Sequence, residues 1–342
     1  MHQLHCSGLR SRLQGGAAAF AALTLFGVGA GLCGPSQAKI ITFDPPGSIY
    51  TLPAAINASG WITGSYVDSK RANHGFLRAP DGTLTTLDVQ GGTCGTYPYG
   101  INRSGVVVGA EEDGACKFHG FVRAADGTVT VFDVPGSMAT QARAVNDAGL
   151  ITGTYEDSSH YAHGFVRATD GTFTSFDPKG GINTEGLGIN KAGAVTGSYE
   201  DTGFVSHGFV RSADGTITTI DVPGATSTSP YSINDSGGIA GTYAQGQSQY
   251  GFVRNPGGKI TTIDPDDSDT ATADSIDKGA AVIGIYVKDI VHGFVRRTNG
   301  KIVSFDPANS RGTSPIAINA KGSIAGCYLD DNNMEHGFLR TP

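Results

Sequence analysis

A histidine, an aspartate, a tyrosine and an arginine return together about every 44 residues in this 342-residue chain. The clearest carrier is His-Gly-Phe-Val/Leu-Arg, which begins at His74, His119, His163, His207, His292 and His336, with Tyr250 replacing histidine in the fifth copy. Histidine within reach of a carboxylate is the pairing that general acid and base catalysis uses most often. Repetition argues against that use here. One active site needs its acid, base or nucleophile once, whereas a group present in every copy meets a need that every copy shares. Those needs are partners for backbone groups left open at strand ends and side chains that lock one unit to the next. No nucleophile elbow, zinc helix or phosphate loop occurs, so no catalytic residue is assigned.

Chemistry that is not repeated is a better guide. Two residues before the apolar member of each apolar-Asn step stand Ala54, Tyr99, Arg143, Leu187, Tyr231, Asp274 and Ile316, a column that varies far more than its neighbours. Tyr99, Arg143, Tyr231 and Asp274 form the candidate ligand-binding set. Phenol faces stack on sugar rings, and a guanidinium or carboxylate fixes hydroxyl or carboxylate groups. The other reading has them seal the axis and pair with one another. Asp266, Asp267 and Asp269 are spaced like a calcium loop, but the glycine and distal glutamate of an EF-hand are missing. A solvated acidic loop is therefore preferred to a Ca2+ site, and no metal or cofactor is assigned.

The elements that must position these residues are strands. Apolar and β-branched residues alternate with period two between Gly, Asn-Asp and Asp-Gly turn signals, and helical periodicity is absent. In the third unit the expected strands are 143–146, 150–155, 163–167 and 173–177. Small four-stranded sheets cannot bury both faces alone and must stack. The expected fold is all-β: a seven-bladed β-propeller over residues 39–342, with four antiparallel strands per blade. The chain starts with a fourth-type strand and ends with a third-type one, so residues 39–45 would complete the last blade and close the ring. Long, divergent connections (91–98, 136–141, 180–185 and 266–273) then share one face, where binding residues concentrate. The variable column is placed at the end of the innermost strands nearest those loops, around the axial funnel. The glycine of Gly-x-Tyr in each second strand, such as Gly64 or Gly197, is expected to leave room for a neighbouring blade.

The His-Gly-Phe-Val-Arg, Ile-Asn-x-x-Gly and Gly-x-Tyr pattern resembles the HAF-type repeats of extracellular bacterial proteins, over essentially residues 40–340. The chain departs from the name-giving His-Ala-Phe by carrying Gly in the middle position. The resemblance implies secretion and repeat architecture, and it transfers no catalytic residue.

Residues 1–38 read as a signal peptide: Arg10 and Arg12 precede an apolar run, and Ser36-Gln37-Ala38 offers small residues for cleavage. Removing it shifts the formal charge from −7 to −9 and leaves no membrane span. An acidic exported protein lacks the electrostatic footprint of nucleic-acid binding. Cys94 and Cys116 fall on connections of the second unit that emerge on one face, and a disulfide between them is expected in an oxidising compartment. Cys327, in a second strand, is expected to be a buried free thiol. The expected function is a monomeric, secreted or periplasmic binding or interaction module for a saccharide or protein ligand at the axial funnel and long-loop face. The alternative is a polysaccharide or lactone lyase or hydrolase centred on the same funnel.

Overall fold

A computed structural model describes residues 38–342, so the expected signal peptide lies, but for Ala38, outside the described residues. Among these residues, helix is limited to one short 3-10 turn, Pro265–Asp267, and almost everything else is strand or turn. Ala139–Val145, Ile151–Glu156, Ala162–Arg167 and Phe173–Phe176 pair antiparallel in sequence order as one four-stranded meander. Ile182–Ile189, Val195–Glu200, Ser206–Arg211 and Ile217–Ile220 repeat that order. Counting such units from Ser48–Ile56, these are the third and fourth.

Tight turns set the register. Asn146 N bonds Leu150 O, and Gly149 N returns to Asn146 O, each at 3.0 Å, with Gly149 at φ +82°. That left-handed backbone costs glycine little. The first residues of the described chain join its last strand: Lys39–Phe43 pairs antiparallel with Glu335–Thr341, from Lys39 opposite Thr341 to Phe43 opposite Gly337.

First strands begin earlier than expected. They start at Gly95, Ala139, Ile182 and Thr270, inside segments expected to be long loops. Each is interrupted by a register shift that leaves one residue unpaired, between Pro53 and Ala55, Pro98 and Gly100, Ala142 and Ala144, Gly186 and Gly188, Pro230 and Ser232, and Pro315 and Ala317. The extra residues, one per bulge, are Ala54, Tyr99, Arg143, Leu187, Tyr231 and Ile316. Asp274 falls in the corresponding break between Thr270–Ala271 and Ser275–Ile276. A β-bulge bends its strand and re-aims the extra side chain, and proline, which has no N–H, fits beside one.

The bulge also explains a glycine column, with a correction. A Cβ on Gly64, Gly153, Gly197 or Gly284 would lie under 3.0 Å from the carbonyl oxygen of Leu52, Gln141, Glu185 or Thr272, in the first strand of the same unit. These glycines make room for the bent strand beside them, not for a neighbouring unit. The glycine that admits the neighbour is the one after histidine: a Cβ on Gly75 would meet Pro98 and Thr96, and one on Gly208 would meet Pro230.

Packing runs between units. Phe76, Phe121, Phe165, Phe209, Phe252, Phe294 and Phe338 are each fully buried. One core cluster joins Val108, Phe132 and Val134 of the second unit to Ala142, Ile151 and Phe165 of the third. Burying a Phe or Ile side chain stabilises by roughly 1.5–3 kcal/mol, so each unit depends on its neighbours.

The recurring polar residues are tied into this framework. His119 Nδ1 meets Asp133 at 2.8 Å and Nε2 meets Asp113 at 3.4 Å, and His74, His163, His207, His292 and His336 are bracketed in the same way. Tyr66, Tyr155, Tyr199 and Tyr286 stack on the histidine of their own unit at ring distances of 5.0–5.3 Å. Burial alone would lower His119, His163, His292 and His336, but the flanking aspartates hold each above its ordinary value. Arg78, Arg167, Arg211 and Arg340 lie over Phe43, Phe132, Phe176 and Phe305 of the preceding unit, clamping two units together.

A second seam is made of amides. Asn57 Nδ2 donates to Asn102 O, Asn102 to Asn146 O, Asn146 to Asn190 O, Asn190 to Asn234 O and Asn234 to Asp277 O, at 3.0–3.3 Å. Asn319 Nδ2 donates to Asn57 O at 2.9 Å, bringing the last unit onto the first.

Candidate functional site

The bulge residues sit on the innermost strands, which crowd one another. A Cβ on Gly100 would meet Ala144 Cα at 3.2 Å, which is why a small residue follows each bulge. The column is not at the loop end of these strands, as expected. Arg143 is the fifth of seven residues in Ala139–Val145 and three residues short of the Asn146 turn, because the strand begins upstream of the bulge. All seven column residues are half-buried.

The candidate residues come together in two groups. The Arg143 guanidinium lies 4.7 Å from the Tyr99 ring centre, across two neighbouring units. Burial raises Tyr99, and the charge of Arg143 opposes the rise. The buried Arg143 Nε has no hydrogen-bond partner. Tyr231 stands with Asp274 of the next unit: burial first, and then the charge of Asp274, pushes its phenol up to about 12. Asp274 also accepts from the Thr272 hydroxyl at 2.9 Å.

Glu185 belongs to this second group and was missed from sequence. Its charge adds to the rise of Tyr231, and it lies on Ile182–Ile189, at the end of the segment 180–185 expected to be a loop. The site thus has a cationic side, Tyr99 with Arg143, and an anionic side, Tyr231 with Asp274 and Glu185. Chemically, that arrangement suits a polar ligand carrying both a ring face and groups of either charge.

Beyond the bulges, at the turn end of the inner strands, a cavity of about 500 Å³ is ringed by the Asn turns. The second residues of those turns, Arg103, Asp147, Lys191, Asp235 and Lys278, alternate in charge around its mouth.

Other expected sites fare differently. Among the described residues no group of three or more His, Cys, Asp or Glu is arranged to hold a metal ion. Asp266 instead meets Lys288 Nζ at 3.4 Å. Cys94 and Cys116 are neighbours, yet the expected bridge is not formed: both are free and exposed. Cys116 sits in a turn at φ +61°, and its thiol is raised first by the charge of Cys94 and then by Glu112. Because the thiolate is the nucleophile, Cys116 is expected to alkylate more slowly in the folded protein than in the urea-unfolded chain at pH 8. Peptide mapping after timed alkylation without reductant measures this, and equal rates would refute it. Cys327 is 1% exposed, buried as expected of a second-strand residue.

No family model and no curated protein matches the chain. Among solved structures, virginiamycin B lyase from Staphylococcus aureus superposes with a TM-score of 0.57 at 13% identity, over 90% of this chain and 100% of that one. The β-propeller domain of the Trilobed protease from Pyrococcus furiosus gives 0.59 at 9% identity, over 85% and 95%. Such likeness speaks to fold alone: the chain is all-β, with the architecture of β-propeller proteins. Among the described residues no helix is long and apolar enough to cross a membrane.

Proposed function

We propose that the chain is a closed seven-bladed propeller, exported as an HAF-type repeat protein, that binds a saccharide or protein ligand at its axis. The observation that carries this reading is a division between columns. The repeated His, Asn and Arg residues are engaged in bonds within and between units. The bulge column varies far more from unit to unit than the columns beside it, and it brings Tyr99 to Arg143 and Tyr231 to Asp274. Closure is supported by the pairing of Lys39–Phe43 with Glu335–Thr341 and by the Asn319 to Asn57 bond. An aromatic face with a guanidinium beside it, and a second phenol with carboxylates near it, are the equipment of a site that orients a polar ring.

Replacing Tyr99, Arg143, Tyr231 and Asp274 singly by Ala is expected to leave melting within a few degrees. Each change should weaken a ligand found on a glycan and peptidoglycan array at least about tenfold, or roughly 1.4 kcal/mol. Normal binding by all four variants, or collapse of all four, would remove the ligand from the axis. Lyase or hydrolase turnover that the same substitutions abolish would replace the binding module with an enzyme.

A further inference from the structure

Six of the inner turns carry asparagine, and each of those amides donates to the turn carbonyl of the next unit. The sixth unit carries Asp277 instead, whose Oδ1 accepts from Ala281 N at 2.8 Å, as an asparagine Oδ1 does in its own turn. Asp277 therefore carries a second carboxylate oxygen in place of the Nδ2 donor that asparagine supplies in the other units. An ionised carboxylate has nothing to give the Asn319 carbonyl, so the chain of amide bonds stops between the sixth and seventh units. The same unit has the broken inner strand, Thr270–Ala271 and Ser275–Ile276, where the others are continuous over seven to nine residues.

We propose that Asp277 is a proton-operated latch: protonated, it donates to the Asn319 carbonyl and completes the ring of inter-unit bonds, and ionised, it leaves that seam open. A neutral carboxyl is the one form of aspartate that offers an O–H where asparagine offers an N–H. The surroundings favour that form. Half-burial raises Asp277 above its ordinary value, against the turn amides of Ala281 and Gly279, which favour the ion. The charged groups around the same mouth are Asp235 from the fifth unit, Lys278 beside it, and Arg103, Asp147 and Lys191 across the opening. None of them is among the causes of its shift.

The sign follows from linkage. A carboxyl raised in the folded state adds stability that is fully present below its unfolded pKa and is lost as pH rises through the folded value. Asp277→Asn supplies a permanent donor with the residue the other units already use. The variant is expected to melt a few degrees above the parent at neutral pH, with the gap closing as the pH falls towards 4. Comparing the two at each pH cancels the histidine and aspartate pairs they share. Infrared difference spectra should show a protonated carboxylic acid in the folded parent, at a pH where free aspartate is ionised, and none in Asp277→Asn. A constant gap at all pH values, a variant no more stable than the parent at neutral pH, or a missing acid band would overturn the latch. Stabilisation of the parent alone by Na+ or Ca2+ in place of acid would assign the position to a cation and overturn it equally.

Discussion

A chain that begins after Pro46 is expected to melt well below the intact protein and to self-associate. Residues 39–45 include the strand that covers the edge of Glu335–Thr341. They also carry Asp44, which receives His336 Nδ1 at 2.7 Å, and Phe43, which packs edge-on against Phe76 at 6.0 Å and lies under the Arg78 guanidinium. Phe43 alone is worth roughly 1.5–3 kcal/mol of buried surface. Its loss also exposes a row of unpaired N–H and C=O groups, which recruits other chains. Thermal melting with size-exclusion chromatography measures both effects. An unchanged melting temperature and a monomeric elution profile would show that this strand is dispensable.

Gly197→Ala should be among the most damaging single-atom changes in the molecule. The added carbon meets the Glu185 carbonyl oxygen, which is backbone, and Phe209 Cε1 at 3.2 Å. Neither can yield without moving the inner strand, and overpacking of this kind costs about 1–3 kcal/mol or more. Because Glu185 belongs to the axial group, the strain is delivered to the candidate site. Gly257→Ala is the control, since its nearest neighbour is the Asn255 side chain at 3.4 Å. Denaturant unfolding should separate the two variants by more than about 1 kcal/mol. Equal stabilities would mean that the bulge relaxes freely.

The repeat, the strand type and the four-strand order were legible because period-two alternation and turn residues are local signals. The bulges were not read, although proline stands just before the column at Pro53, Pro98, Pro230 and Pro315, where a residue without an N–H marks a break in a ladder. That omission moved the expected strand starts towards the turns. It turned Glu185 into a loop residue and put the column at the wrong end of the strand. The Gly-x-Tyr glycine was assigned to the wrong neighbour for the same cause, since its close contact exists only when the adjacent strand bends. Asparagine in the inner turns shows a different limit. Sequence reveals its local task, accepting turn amides through Oδ1, but not the Nδ2 bond to a residue about 44 positions away.

The offset between the described strand at 39–43 and the units decides what gain or loss of one repeat would do to the fold. The described chain opens on a strand that completes its last unit, so any cut into segments of one repeat length is out of phase with the folded units. Gain or loss of one such segment changes how many units are stacked while leaving the two ends matched, a fourth-type strand still facing a third-type one. A chain with one unit more or fewer would have to bring its last inner asparagine back to Asn57 through a different turn per unit for the same bond to form.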